Sequence, residues 1–340
     1  MRRRPALGRA CAAALIVVAL TALAQAVRSS DLTPGHPWPV PTRAGPVIEN
    51  LRTVAPRVDG PLEVIPAGRA TVRVPILEYH YIRVNPDPRD RLGFNLSVTP
   101  ADFAQQMGWL AADGYHPIDF DDLRGYLLSG GVLPAKPVIL TFDDGYRDMF
   151  TTALPILHAH GFKAVSYVVS GFLNSPRYLT NEMVLEMEAE GIEIGAHTVS
   201  HADLTRISAP NLQHEVFDSK SELEALVGHP VLDFCYPSGK FNDAVVHTIQ
   251  EAGFQTATTE LPGIAHSAGD RFVWTRVRVN GGESLPEFVL NLGQPEPAVV
   301  VTPPPAGRGS WPGSSPLPVT FPLRPPSVPV PGPATGGPIP

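Results

Sequence analysis

Residues 138–145 read Val138-Ile139-Leu140-Thr141-Phe142-Asp143-Asp144-Gly145, an apolar run that ends in two carboxylates and a glycine. The run is continuous rather than alternating, which is typical of a strand that is covered on both faces, as in a parallel sheet. Parallel barrels build their active sites from the loops that follow the strands. We therefore expect both carboxylates to lie at the rim of an α/β domain.

Further short apolar runs alternate with amphipathic stretches on both sides of this segment, and no repeat of fixed period is evident. This alternation predicts an α/β fold, a single distorted (β/α) barrel of about seven parallel strands. The expected strands are 74–79, 138–142, 164–169, 192–196, 234–236, 254–258 and 272–279. The expected helices, indicated by capping residues and terminal glycines, are 100–113, 147–160, 181–190, 212–227 and 243–252.

Composition divides the chain into a foldable middle, 72–292, and three segments without a predicted core. Residues 1–28 resemble a secretory signal peptide, because arginines precede an uncharged apolar stretch and small residues offer a cleavage site. The uncharged stretch, 10–27, is also long enough to serve as an uncleaved membrane anchor. Residues 29–71 are predicted to be a Pro-rich linker, and 293–340 a Pro-rich disordered tail whose removal leaves the fold intact. The domain is therefore expected to be secreted or extracytoplasmic.

Net charge limits the class of partner. Cleavage after Ala26 would remove four arginines and leave 22 basic against 33 acidic residues, a formal charge of −11. Such a surface disfavours nucleic acid and strongly anionic polymers, and it suits a neutral or cationic substrate.

Cleavage would also remove Cys11, so Cys235 would have no intrachain disulfide partner. We expect a monomer.

Polar residues follow the expected strands where those strands end. Asp143 and Asp144 follow one strand and His197 follows another, so their side chains should meet at a shared rim. His197 and His201, four residues apart, can reach one ion if the segment is helical or tightly turned. Two histidines and one carboxylate leave coordination positions open for water, as in catalytic metal sites. A second, unliganded carboxylate would supply a base, and these groups together suit metal-assisted hydrolysis.

These motifs resemble the polysaccharide deacetylase family, also called carbohydrate esterase family four or the NodB homology domain. Thr-Phe-Asp-Asp-Gly at 141–145 and His-Thr-Val-Ser-His at 197–201 match the first two motifs of the family. The resemblance covers roughly 72–292. The segments 75–80 and 234–240 look most like the subgroup that includes poly-β-1,6-N-acetylglucosamine deacetylases. The resemblance implies metal-dependent removal of acetyl groups from N-acetylated sugars of an extracellular or cell-wall polysaccharide.

The resemblance also implies roles for particular residues. Asp144, His197 and His201 would bind one divalent metal, with zinc as the default and cobalt, nickel or iron as alternatives. Asp143 would be the general base, and the backbone N–H of Ser238 would stabilise the oxyanion.

This sequence departs from the family pattern at two points. The third motif, Arg-x-Pro-Tyr-Gly, is replaced by Cys-Tyr-Pro-Ser-Gly at 235–239, so the arginine that orients the base is missing. The late Leu-x-His motif has no counterpart. In the poly-β-1,6-N-acetylglucosamine deacetylase subgroup the acid histidine comes instead from an early Tyr-His, which is Tyr79-His80 here. The resemblance therefore implies His80 as the general acid, with His266 as the reserve candidate. The expected substrate contacts are Tyr146, Tyr236 and Pro237.

Two other functions remain open from the sequence. The same barrel and metal site can hydrolyse a small non-sugar amide, because fold and metal do not determine the substrate. An open groove flanked by aromatic residues would favour the polysaccharide, and a closed pocket would favour the small amide. The second alternative is a catalytically idle carbohydrate-binding envelope protein, which the missing arginine favours.

Overall fold

The computed structural model describes residues 62–301. The predicted signal segment at 1–28, with the anchor candidate at 10–27, lies outside this part of the chain. None of the helices between residues 62 and 301 has the length and apolar character needed to cross a membrane.

The described part of the chain contains short strands and helices in alternation. The strands are β1 Leu62–Ile65, β2 Thr71–Arg73, β3 Ile76–Tyr79, β4 Tyr81–Ile82, β5 Ser97–Val98, β6 His116–Pro117, β7 Leu133–Pro134, β8 Pro137–Phe142, β9 Ala164–Val168, β10 Ile192–Ala196, β11 Asp233–Cys235, β12 Thr256–Pro262, β13 Ala265–Ser267, β14 Trp274–Arg278 and β15 Val299–Val301. The α-helices are α1 Arg91–Asn95, α2 Pro100–Ala112, α3 Phe120–Ser129, α4 Leu154–Ala159, α5 Asn181–Ala189, α6 Ala209–Gln213, α7 Ser219–Val227, α8 Asp243–Glu251 and α9 Leu285–Asn291.

Seven strands form a closed, all-parallel barrel in the order β3-β14-β12-β11-β10-β9-β8. The barrel closes where β3 pairs with β8, in the register Ile76↔Ile139 to Tyr79↔Phe142. β6 pairs with β8 and lies outside the ring of seven. All seven barrel strands overlap segments predicted from the apolar runs, so the predicted seven-stranded barrel is confirmed.

Alternate residues of each strand belong to different cores. On β8, Leu140 and Phe142 pack into the large cluster between the barrel and its helices, whereas Ile139 belongs to the second cluster. Because side chains alternate along a strand, Thr141 and Asp143 share the face of Ile139 and point into the barrel. The same period places Glu78 of β3 and Arg276 of β14 in the interior. Arg276 donates hydrogen bonds to Thr141 of β8 and to Asp143, which follows β8.

Two of the five predicted helices are interrupted in the structure. The predicted helix 147–160 is a π-helical turn, Met149–Ala153, followed by α4. Pro155 explains this change, because it lacks the N–H of a regular helical hydrogen bond and its ring clashes with the carbonyl four residues earlier. The predicted helix 212–227 is also divided, into α6, a π-helical turn and α7.

Two paired strands lie outside the predicted foldable middle, 72–292. β1 lies in the predicted linker and β15 in the predicted tail, yet they pair antiparallel, with Leu62 opposite Val301 and Val64 opposite Val299. Composition concealed both strands because prolines flank them, and proline is tolerated at the ends of strands and at sheet edges.

Candidate active site

A cavity of about 490 Å³ opens at the carboxyl ends of the barrel strands. Loops after β3, β8, β10 and β11 contribute to its wall, as expected for a parallel barrel. The predicted site residues that line it are His80, Asp143, Asp144, Tyr146, His197, His201 and Ser238, and the other lining residues are Leu92, Leu96, Phe172, Tyr178, Ser200, Glu260 and Arg278.

Asp144, His197 and His201 converge on one point at the rim. Asp144 Oδ1 lies 3.4 Å from His197 Nε2 and 3.3 Å from His201 Nε2. One ligand atom from each residue lies within 4.8 Å of the others, a spacing that one ion with bonds of about 2 Å can bridge. Asp144 Oδ1 is buried and accepts no hydrogen bond from the described residues. The three side chains therefore fit a divalent metal ion, with an otherwise unsatisfied oxygen aimed at it.

Two further groups of possible ligands both include Asp143. Each oxygen of Asp143 already accepts a hydrogen bond from Arg276, at 2.8 and 2.7 Å. This carboxylate is therefore less available to an ion than Asp144, and the Asp144 group is the better candidate metal site.

Hydrogen bonds fix the ring of His197 and the backbone at His201. His197 Nδ1 donates to the carbonyl oxygen of Cys235 at 2.7 Å, so its Nε2 is the nitrogen that faces Asp144. The backbone N–H of His201 donates to Thr198 Oγ1 at 2.8 Å. Residues 197–201 therefore form a tight turn rather than a helix.

Glu215 stabilises this turn by accepting hydrogen bonds from it, and the sequence analysis did not predict this role. Its buried carboxylate accepts the backbone N–H groups of Val199 and Ser200 at 3.0 and 2.8 Å. The hydroxyl of Ser200 also donates to it. A glutamate near the start of a helix gives no local signal for such a contact, because its partner loop is about fifteen residues away.

Backbone strain is concentrated in the rim loops. Four of the six described non-glycine residues with positive φ lie there: Asp144 (73°), Thr198 (68°), His201 (59°) and Ser238 (54°). A left-handed conformation costs a non-glycine residue on the order of 1–2 kcal/mol. Such residues persist only where surrounding contacts hold them, and they cluster at functional sites.

Asp143 is held inside the barrel by an arginine that the sequence analysis did not assign to the site. Arg276 of β14 is fully buried and donates Nη1 and Nη2 to the two oxygens of Asp143. Burial alone would raise the pKa of Asp143, but the charge and hydrogen bonds of Arg276 hold that pKa well below its usual range. An arginine partner for the base is therefore present, supplied by another strand. One feature of the sequence could have identified Arg276: it lies two positions after Trp274, so it occupies the same inward face of a buried strand, where a charged residue needs a partner.

Cys235 occupies the sequence position at which the family's third motif has an arginine. Its side chain contacts Arg276, the arginine that pairs with Asp143 in this structure. Its Sγ lies 3.3 Å from Arg276 Nη2 and 3.6 Å from Asp143 Oδ2. Burial raises the pKa of the thiol, so the side chain is uncharged at neutral pH.

His80 lines the cavity, whereas His266 does not. His80 Nε2 lies 4.0 Å from Asp143 Oδ2, and its Nδ1 lies 4.0 Å from Glu78 Oε1. His266 is fully buried on β13, where its Nε2 lies 2.9 Å from the carbonyl oxygen of Val74. Burial lowers the pKa of His266 to about 4, so this imidazole is neutral at pH 7. We therefore drop the reserve candidate, and the acid role of His80 stays a prediction.

The three expected substrate contacts occupy different environments. Tyr146 lines the cavity and stacks on Tyr81 and Tyr178, with ring centroids 3.6 and 5.2 Å apart. Tyr236 is fully buried, and its hydroxyl donates to a backbone carbonyl, that of Phe272, at 2.9 Å. Pro237 is buried beside it. The position after a strand does not determine whether a side chain faces the cavity or the surrounding helices, so Tyr236 and Pro237 are removed from the expected contacts.

Comparison with known proteins agrees with this geometry. The profile of the polysaccharide deacetylase family matches residues 130–257. One relative is YxkH of Bacillus subtilis (strain 168), whose name describes a polysaccharide deacetylase. It is 30% identical over 216 residues, which are 64% of this chain and 75% of that protein. The poly-β-1,6-N-acetyl-D-glucosamine N-deacetylase of Escherichia coli (strain K12) is 37% identical over 240 residues, 58% of this chain but only 36% of that protein.

A solved structure shares the fold along nearly its whole length. A Streptococcus pyogenes deacetylase in complex with acetate superposes with a TM-score of 0.61 at 30% identity, covering 66% of this chain and 99% of that one. The shared barrel, the matched profile and these identities lead to one conclusion: the chain belongs to the polysaccharide deacetylase family.

Proposed function

We propose that this protein is a metal-dependent hydrolase that removes acetyl groups from N-acetylated sugars of an extracellular or cell-wall polysaccharide. One observation carries the proposal. Asp144, His197 and His201 converge within ligand distance of one ion, beside an unliganded carboxylate, Asp143, in an open cavity. The names of several relatives describe deacetylation of poly-N-acetylglucosamine, peptidoglycan or chitin, which supports the same chemistry here.

In the proposed mechanism, Asp144, His197 and His201 would hold a divalent metal, with zinc first and cobalt, nickel or iron as alternatives. A metal in such a site lowers the pKa of water and polarises a carbonyl group. Asp143 accepts the proton of the attacking water, and the backbone N–H of Ser238 donates to the oxygen that becomes negative. His80 donates a proton to the departing amine of the sugar.

The position of His80 supports this division of roles. It lies on the cavity wall 4.0 Å from Asp143, so acid and base flank the same space. His80 follows β3 and Asp143 follows β8, and these two strands are hydrogen-bonded neighbours. A single acetamide group could therefore contact both side chains.

The aromatic wall supports a sugar substrate. Phe172, Tyr178 and Tyr146 line the cavity, and the rings of Phe172 and Tyr178 lie 4.8 Å apart. Sugar rings present apolar C–H faces that pack against such surfaces, whereas a small amide would need a closed pocket. We propose an N-acetylglucosamine-containing polysaccharide as the substrate, no nucleic-acid partner, and a monomeric enzyme that acts outside the cytoplasm.

The alternative of a catalytically idle carbohydrate-binding envelope protein loses its main argument. It was favoured by a missing arginine beside the base, and Arg276 contacts both oxygens of Asp143. A buried bidentate ion pair at the rim has no evident use in a protein that only binds carbohydrate.

The test is release of acetate from N-acetylglucosamine oligomers by the chelated and then metal-reconstituted protein. We expect no acetate after chelation and restored release with zinc, cobalt, nickel or iron. Asp144→Ala, treated identically, is the control for free metal in solution. Acetate released only from small acetamides would favour the small-amide alternative. A protein that binds metal and oligomers but releases no acetate would overturn the proposal.

A further inference from the structure

The turn at 197–201 carries two of the three proposed metal ligands, but they are held unequally. The ring of His197 is fixed by its hydrogen bond to the carbonyl oxygen of Cys235. Between residues 62 and 301, no group forms a hydrogen bond with Nδ1 of His201, whose side chain is 33% exposed. The position of this second histidine therefore depends on the backbone conformation of the turn.

That backbone conformation is unfavourable by itself. Thr198 and His201 have φ values of 68° and 59°, in the left-handed region that residues other than glycine avoid. Such residues persist only where surrounding contacts hold them. The hydrogen bond from the N–H of His201 to Thr198 Oγ1 is internal to the turn, so it does not fix the turn relative to the barrel.

Glu215 holds the N–H side of the turn from outside. Its buried carboxylate accepts the backbone N–H groups of Val199 and Ser200 at 3.0 and 2.8 Å, and it also accepts the hydroxyl of Ser200. Hydrogen bonds to a carboxylate are charge-assisted and roughly twice as strong as those between neutral groups. One side chain therefore supplies three strong contacts to the segment between the two histidines.

The loop after β9 holds the carbonyl side of the same turn. The N–H of Ser170 donates to the carbonyl oxygen of Thr198 at 3.1 Å, and the N–H of Gly171 donates to that of Val199 at 3.0 Å. Only glycine allows this approach, because a Cβ at position 171 would lie 2.5 Å from the oxygen of Val199. The hydroxyl of Ser170 donates to Glu222 at 2.6 Å, so this loop is held in its turn by a glutamate.

Both glutamates belong to one helical segment. Glu215 lies in the π-helical turn His214–Asp218, and Glu222 lies in α7. Single π-helical turns are frequent at functional sites. Here the π-helical turn interrupts the predicted helix 212–227 at the residue that contacts the metal-binding turn.

From these contacts we propose that Glu215 is a positioning residue for the metal site: it holds residues 198–200 in the conformation that brings His201 to the ion. The inference rests on the proposed function, in which Asp144, His197 and His201 bind a metal. The competing explanation is that Glu215 only stabilises the fold. Metal affinity distinguishes the two, because a residue that orients a ligand changes the affinity, whereas a purely structural residue changes only the melting temperature.

The first experiment is calorimetric zinc titration of the metal-free wild type and Glu215→Ala, at a temperature at which both are folded. Loss of a group that orients a metal ligand lowers affinity by about 10- to 100-fold, and we expect a loss in this range. The absorption spectrum of the cobalt-loaded variant should also change, because the geometry at His201 is altered. Wild-type zinc affinity in Glu215→Ala would overturn the inference, whatever the change in melting temperature.

Glu215→Gln tests the contacts themselves. Glutamine keeps the shape of the side chain and one acceptor oxygen, but it accepts the same N–H groups without the assistance of charge. Its zinc affinity should therefore lie between those of Glu215→Ala and the wild type. If the alanine variant does not fold, the glutamine variant decides the question, and wild-type affinity in it would overturn the inference.

The matched control is Glu224→Ala. Glu224 also lies on α7 and accepts a backbone N–H, that of Val231 at 3.0 Å, but it does not line the cavity. We expect both alanine variants to lower the melting temperature of the metal-free protein and only Glu215→Ala to lower zinc affinity. An equal loss of zinc affinity in both would show general destabilisation and would overturn the inference.

Zinc affinity is measured without substrate, so this inference and the proposed function can fail separately. A wild type that binds no zinc would remove the metal site and both proposals with it. A wild type that binds zinc but releases no acetate from N-acetylglucosamine oligomers would overturn only the proposed function. Acetate release by the wild type, together with undiminished zinc affinity in Glu215→Ala, would overturn only the role of Glu215.

Discussion

His197 Nδ1 lies 2.7 Å from the carbonyl oxygen of Cys235, and this hydrogen bond turns the other ring nitrogen toward Asp144. The bond joins the residue that follows β10 to the last residue of β11, and these two strands are neighbours in the barrel. A metal ligand whose second nitrogen is bound to the backbone keeps one tautomer and one ring orientation. The barrel thus preorganises the proposed site, and the predictions below depend on that arrangement.

Asp144→Ala should lose metal and activity together. Asp144 Oδ1 is the atom that lies near both histidine Nε2 atoms, so its removal leaves only two ligands. Metal content after dialysis, measured by atomic emission, is the direct readout. An unchanged metal content would remove Asp144 from the ligand set, whatever happens to the activity.

Asp143→Asn should retain metal and lose about a hundredfold or more in kcat. Asparagine keeps the size of the side chain and one acceptor for Arg276, but it cannot accept a proton from water. The measurement is kcat at saturating metal together with metal content. A rate near that of the wild type would contradict the assignment of Asp143 as the base.

His266→Gln should reduce the loss of stability in mild acid. The pKa of His266 is lowered to about 4 by burial, below the unfolded value of about 6.5. Above pH 6.5 the imidazole is neutral in both states. Below pH 6.5 the unfolded chain binds the proton more readily, so stability falls as the pH drops toward 4.

The size of this effect follows from about 1.36 kcal/mol for each pH unit, or about 2 kcal/mol between pH 6.5 and pH 5. Glutamine keeps a donor for the Val74 carbonyl but does not titrate. Denaturant unfolding at pH 7 and pH 5 gives the comparison, with the exposed residue His247 as the control in His247→Gln. Identical pH dependence in His266→Gln and the wild type would contradict the prediction.

Tyr146→Ala should raise KM for long oligomers about tenfold, the equivalent of about 1.4 kcal/mol, with a smaller change in kcat. Tyr146 stacks between Tyr81 and Tyr178 on the cavity wall, and its loss removes the centre of that aromatic surface. Tyr236→Phe is the control, because Tyr236 does not line the cavity and its hydroxyl donates to the backbone carbonyl of Phe272. Equal effects of both changes on KM would argue against a substrate role for the aromatic wall.

Two truncations should differ in stability. Removing 302–340 should leave the melting temperature unchanged, whereas removing 294–340 should lower it. The longer deletion eliminates β15 and Glu296, whose Oε2 accepts the backbone N–H of Arg73 at 2.9 Å. A loss of about 1 kcal/mol would correspond to roughly 2–4 °C. Equal melting temperatures would show that β15 adds little to the fold.

The sequence by itself determined the barrel and the convergence of its rim residues. Apolar runs such as 138–142 are strands whatever their partners, since both faces must be covered, and the carboxyl ends of parallel strands share one side of a barrel. Asp144, His197 and His201 therefore could be placed together before any coordinates were known. His80 could be placed at the same rim for the same reason, because it follows β3, the first barrel strand along the chain.

Only the tertiary structure decided which side chains act from a distance. Arg276 is about 130 residues from Asp143, and Leu62 is about 240 from Val301, so no local period or motif indicates that these residues meet. The tertiary structure also decided which aromatic residues are buried. Tyr236 and Tyr146 both follow barrel strands, yet Tyr236 packs into the core and Tyr146 lines the cavity. Strand periodicity determines which face a residue occupies, but the partners on that face depend on how the sheet closes on itself.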